Sequence, residues 1–136
     1  MSWAAVHSAI RTRFETEWAG RTPAQMPKVK FDKPEDSAWV RLAIQPASSN
    51  WASMGDPGNN VERNRGQVTL QIFTPSGEGE GEMLELIENA RAVYHSWCDT
   101  VSGVRFEVPS YPVDVGVSGK WYQVNVIAPF RFDDHA

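Results

Sequence analysis

RGQVTLQIFTPSGEGEGEMLELIENARAVYHSW, running from Arg65 to Trp97, reads as a strand, a glycine-broken acidic turn and an amphipathic helix in immediate succession. Val68, Leu70 and Ile72 alternate with Thr69 and Gln71, the period of a half-buried strand. Pro75, Gly77, Gly79 and Gly81 end that strand and delay the helix. From Met83 the apolar residues Met83, Ile87, Ala90, Tyr94 and Trp97 recur in steps of four and three, which predicts a helix carried through to Cys98. Carboxylates at its start favour the helix dipole by a few tenths to about 1 kcal/mol each.

Upstream, Val40, Leu42 and Ile44 alternate with Trp39, Arg41 and Ala43, so Ser37–Gln45 is a second strand. With the strand after it, this makes an extended antiparallel hairpin. Between them lies Ala47–Asn64, a long polar segment rich in Gly, Asn and Ser and read as a loop, with Trp51 and Met54 near its centre. A structureless loop of this length in a compact domain is functional or disordered. Its aromatic residue reads either as an anchor for a partner or as part of a hairpin arm folded back on its own domain. Arg63 and Arg65, beside Glu62 and Asn64, suit an acidic neighbouring subunit.

At the N-terminus, Trp3, Val6, Ile10, Phe14 and Trp18 share one side of a helix, with Ser2 as its cap and Gly20 as its stop. A proline-bounded connector follows, with an extended piece at Val29–Phe31. After the second helix the sequence predicts strands at Val101–Val108, Val113–Val117 and Trp121–Phe132, the last with Pro129 marking an edge or bulge. The order predicts one α+β domain over residues 1–136, a mainly antiparallel sheet with two helices packed on one face and a long loop after the first main strand.

A chain of 136 residues with 41% hydrophobic content buries a core without disulfides or metal. The net charge of −4 disfavours general attraction to nucleic acid or an anionic membrane. Neither a signal peptide nor a membrane span is read, which leads to the expectation of a soluble protein made in the cytoplasm. Cys98, the single cysteine, cannot form an internal disulfide. It is expected at the end of the second helix, packed or semi-buried, with His95 three residues before it; no oxyanion hole or orienting partner supports a nucleophilic role.

Other chemical motifs fare no better. Gly77 to Glu82 follows a strand and opens a helix, as a phosphate-binding turn would, but it lacks the dinucleotide and P-loop spacings and carries three glutamates. His7, His95 and His135 show no metal-ligand spacing. Asp56-Pro57-Gly58-Asn59-Asn60 lacks the alternating ligands and closing Glu of a calcium loop. The sequence therefore predicts no catalytic residue, no cofactor and no metal.

The N-terminal helix ending near Phe14–Trp18, the entry QMPKVKF, the strand AWVRLAIQP, the segment NRGQVTLQIFTPSGEG, the helix after it and the closing strand WYQVNVIAPFRF together resemble the tail terminator proteins of long-tailed bacteriophages and a related phage domain of uncharacterised function. The resemblance implies a virion protein of the tail, assembled in the host cytoplasm, and not an enzyme. It implies a homohexameric ring on the last ring of the tail tube that stops tube polymerisation and joins the tail to the head. Implied partners are further copies of itself, the tail tube protein and a head-completion or connector protein; DNA passes through without specific binding, and no membrane is involved. Trp51, Met54, Arg63 and Arg65 are the expected interface residues. The competing readings are another head–tail joining or tube protein and, from a different class, a small phosphate-ligand-binding enzyme subunit using the Gly77–Gly81 turn.

Overall fold

The computed structural model describes residues 2–77, 79–106 and 109–135. Its elements are α1 (Trp3–Trp18), β1 (Ala24–Gln25), β2 (Trp39–Trp51), β3 (Val61–Pro75), α2 (Gly81–Tyr94), β4 (Arg105–Phe106), β5 (Tyr111–Ser118) and β6 (Trp121–His135). Strand order across the sheet is β1-β2-β3-β6-β4, with β5 beside the first half of β6. All pairings are antiparallel except the short β1–β2 pair. The architecture is the α+β arrangement expected from the sequence.

Alternation decides which face is covered. Val40 and Leu42, Val68, Leu70 and Ile72, and Val124, Val126 and Ala128 point to one side, where they meet Val6, Ile10, Phe14 and Trp18 of α1 and Met83, Leu86, Ala90 and Val93 of α2. Ser2 caps α1 by accepting from the Ala5 N–H at 3.2 Å, and the left-handed Ala19 closes it one residue before the expected Gly20. Two polar contacts tie the helices together: the Tyr94 hydroxyl donates to the Ile10 carbonyl at 2.8 Å, and Arg13 Nε donates to the Val93 carbonyl at 2.8 Å.

The opposite face carries a second aromatic group that the helices do not touch. Trp39 stacks on Phe73 at 4.1 Å and meets Trp121 edge-on at 6.2 Å. Arg41 lies over both Trp39 and Phe73 and bonds Gln25 and Gln71, so this end of the sheet is closed on its outer side as well.

Several expectations change. Half of Ala47–Asn64 is strand: β2 continues to Trp51 and β3 begins at Val61, leaving residues 52–60 as the connection. Together with the end of β6 they form a three-stranded arm, with Trp51 opposite Glu62 and Glu62 opposite Asp134. The cause is backbone pairing without burial; β2 is exposed from Gln45 onward, so no apolar alternation announces the strand. The second helix stops at Tyr94, where His95 turns extended and Ser96 left-handed, so Trp97 and Cys98 lie beyond it. Cys98 is exposed, and bridges to Arg105. Among the described residues of the predicted Val101–Val108 strand only Arg105–Phe106 forms a strand; Glu107 and Val108 lie outside the described residues, as does Glu78 of the acidic turn. Val29–Phe31 forms no strand, whereas β1 was not foreseen. Pro129 does not stop β6, because the outer pairing changes there from β5 to β4.

Gly66 lies where the arm meets the covered sheet. A Cβ at this position would stand 2.6 Å from the Gln45 carbonyl oxygen and 2.7 Å from the Phe130 ring. Next to it, β2 slips its register between Pro46 and Ser48. Gly66→Ala is expected to cost about 1–3 kcal/mol, the range for overpacking a filled site. The loss is to be read from denaturant midpoints, with faster amide exchange in Ser48–Arg65; an unchanged midpoint would show that the ring and carbonyl yield freely.

Candidate interaction surfaces

Trp51 is 59% exposed and Met54 85%, both at the far end of the arm. The connection between the strands is held by its own polar groups. The Val61 N–H donates to Ser53 Oγ at 2.7 Å, Asp56 N–H donates to Asn60 Oδ1 at 3.0 Å, and Asn59 Nδ2 donates to Asp56 Oδ2 at 3.2 Å. Gly55 and Gly58 supply the left-handed turns this path needs, with φ of 98° and 87°. Asp56 thus serves the turn. Apolar side chains in an ordered, solvated tip are the form of a contact surface.

Arg63 and Arg65 stand on the arm's other side. Arg63 makes a two-pronged bond to Asp133, Nε to Oδ1 at 2.9 Å and Nη2 to Oδ2 at 3.1 Å. That bond to Arg63 holds the Asp133 carboxyl below its usual range, with Arg131 and Arg105 adding to the effect. Arg65 faces Arg131, which faces Arg105, so three arginines lie in one row across β3, β6 and β4. Sequence reading found Arg63 and Arg65 but not this row, whose members are brought together only by strand pairing. All four expected interface residues therefore sit on the arm, two at its apolar end and two on its basic side.

A depressed carboxylate stabilises the fold above its unfolded value and loses that contribution as pH falls through its folded value. Asp133→Asn should therefore melt below the parent at neutral pH. The gap should close as pH drops below the ordinary carboxylate value of 3.8. It should also narrow at high salt, since the pair is partly solvated. A gap independent of pH would assign the loss to packing instead.

The edge strand β5 presents a third surface. Tyr111, Val113, Val115 and Val117 are 40–64% exposed, on a strand paired only to β6. By contrast, the depression at the Gly77–Gly81 turn is lined by Pro75, Ser76, Gly77, Gly79, Glu80, Val117 and Tyr122, with no cation to receive a phosphate. His95 and Cys98 no longer share a helix, and the sequence-level pair dissolves. Burial and the Arg11 charge push the His7 imidazole below its ordinary value, beside Arg11 and Lys28 in the cleft between α1 and the connector.

Comparison with known proteins places the chain in a family. The family described as phage tail terminator protein matches residues 5–127. The chain belongs to that family. Terminators are structural proteins of the bacteriophage tail, so the virion is where this fold acts, and tail assembly is its setting. A solved structure at 16% identity superposes with a TM-score of 0.75 over 100% of this chain and 99% of that one, which establishes the shared fold. No curated protein matches in sequence. Among the described residues, no helix is long and apolar enough to cross a membrane.

Proposed function

We propose that this terminator closes into a homohexameric ring on the last ring of the tail tube, stops tube polymerisation there and offers its other side to a head-completion or connector protein. The observation that carries the reading is an arm, on a terminator fold, whose end exposes Trp51 and Met54. Exposed strand edges support it. β5 and the outer half of β2 lie at opposite sides of one sheet, and an apolar edge such as β5 is an aggregation hazard unless something covers it. A closed ring covers both ends of a head-to-tail contact with one interface. DNA passes through without specific binding, in keeping with the acidic subunit.

Electron microscopy and native mass spectrometry of concentrated protein, alone and with purified tail tubes, test the reading. Closed six-fold rings, free or seated on tube ends, are the expected result. Monomers at every concentration, with no density at tube ends, would overturn it.

A further inference from the structure

We infer that a depression on the helix-free face of the sheet, walled by Trp39, Trp121 and Arg41, is a binding site for a carboxylate, filled by an Asp or Glu side chain of a neighbouring protein in the tail. The inference draws on the tail setting of the family and not on the ring.

Trp39, Arg41, Phe73, Trp121 and Lys33 line a cavity of about 220 Å³ at the end of the sheet away from the arm. Its wall holds two donors that the subunit does not satisfy. Trp39 and Trp121 are 3% and 8% exposed, and neither indole Nε1–H reaches an acceptor among the described residues. A buried donor without an acceptor carries its whole desolvation cost, and folded proteins rarely leave one so. The two rings meet edge to face at 6.2 Å. Only one ring of such a pair turns its edge to the other, so an N–H contact with a ring face serves one of the two donors at most.

Positive charge surrounds these donors. Arg41 lies half-buried over Trp39 and Phe73; its Nε and Nη1 donate to Gln25 and Gln71, both neutral amides, which leaves Nη2 over. Lys120 Nζ stands 5.6 Å from the Trp121 ring, and Lys33 closes the opposite rim. Among the described residues none of these three cations makes an ion pair, although Asp32, Glu35 and Asp36 flank Lys33 in sequence.

The groups on the wall specify the ligand. Indole, guanidinium and ammonium only donate, so their complement must only accept. An ionised carboxylate offers two oxygens with about four lone-pair sites, enough for both indoles and the third nitrogen of Arg41. The cavity falls below the range of about 300–1,000 Å³ for larger ligands, which suits a side chain and not a nucleotide. Aromatic walls exclude water from the pair and so strengthen its bonds.

Titration with capped glutamate (N-acetylglutamate amide), followed through the indole N–H signals by NMR, tests the site. The Trp39 and Trp121 signals should move downfield together and saturate with a Kd of about 1–10 mM, the strength open to so small a ligand, while capped glutamine moves neither. Arg41→Gln should weaken binding about tenfold. Lys33→Gln with Lys120→Gln changes exposed side chains alone and should weaken it about threefold without altering the fold. Self-association and binding to purified tail tubes, both followed by sedimentation, identify the donor of the carboxylate. The lysine variant, or saturating capped glutamate, should weaken the first if the donor is a second copy and the second if it is a tube protein; if neither responds, the assignment to a protein side chain is overturned. Capped glutamine that binds as well as capped glutamate, or indole signals that do not move, would overturn the site itself. Inorganic phosphate bound there more tightly than capped glutamate would make it a phosphate site and overturn the carboxylate assignment. The NMR titration reads the same whether or not the parent closes into rings, so failure of the ring reading is told apart from failure of this one.

Discussion

Phe14→Ala should remove about 3–5 kcal/mol of folding stability, the range for emptying a fully packed aromatic site. Phe14 is 2% exposed and stacks on Trp18 with ring centres 5.6 Å apart. Val6, Ile10 and Trp18 flank it on α1, all buried, and the sheet closes the far side. Collapse into the vacated space is restricted, because Trp18 is itself held by a bond from its Nε1 to Thr22 Oγ1 at 3.1 Å. A domain of ordinary stability holds 5–15 kcal/mol in roughly this size range, so the variant forfeits a large share. Leu84→Ala is the control on the second helix; Leu84 is 51% exposed and its loss should stay within about 0.5 kcal/mol. Urea midpoints at unchanged slope would report both. A Phe14→Ala cost under about 1 kcal/mol would mean that α1 does not seal the core.

The covered sheet was legible because burial writes a period into sequence. Val68, Leu70 and Ile72 lie under the helices, and Val124, Val126 and Ala128 repeat the pattern in the last strand. Where both faces of a strand meet solvent, that period vanishes. Ser48, Ser49 and Asn50 pair with Arg65, Asn64 and Arg63, yet nothing in their side chains distinguishes them from a loop. The end of α2 failed for a different reason. Trp97 packs against Phe106 and Tyr94 from a turn, so its apolar character continues the helical spacing after the helix has stopped. No glycine marked the stop; Ser96 takes the left-handed conformation instead.

The interaction surfaces divide in the same way. Trp51 and Met54 were visible as apolar residues in a polar run, and Arg63 and Arg65 as a local basic pair. The arginine row was hidden, since Arg65, Arg105 and Arg131 come from three strands far apart in sequence. Only the register of β3, β6 and β4 assembles them. A row of this kind is a property of topology.

Replacing both apolar residues at the arm's end, Trp51→Ser with Met54→Ser, should leave the fold intact and abolish length control. The two side chains are 59% and 85% exposed, so little burial is lost within the subunit, and melting should shift by no more than a surface substitution does, about 0.5 kcal/mol. The ladder between Ser48 and Arg65, and the bonds that hold Asp56 and Val61, involve neither side chain. At a partner surface the balance reverses. An aromatic anchor desolvated against a tube end contributes about 2 kcal/mol or more, which is a loss of roughly thirtyfold in affinity when it is removed. Tails assembled with the double variant should then grow to irregular lengths, with tube ends lacking the cap in electron micrographs, while the purified subunit melts as the parent does. A variant that unfolds would make the arm's end part of the core. A variant that melts normally and still yields tails of uniform length would place the tube contact elsewhere, and the free edge of β5 would be the next surface to alter.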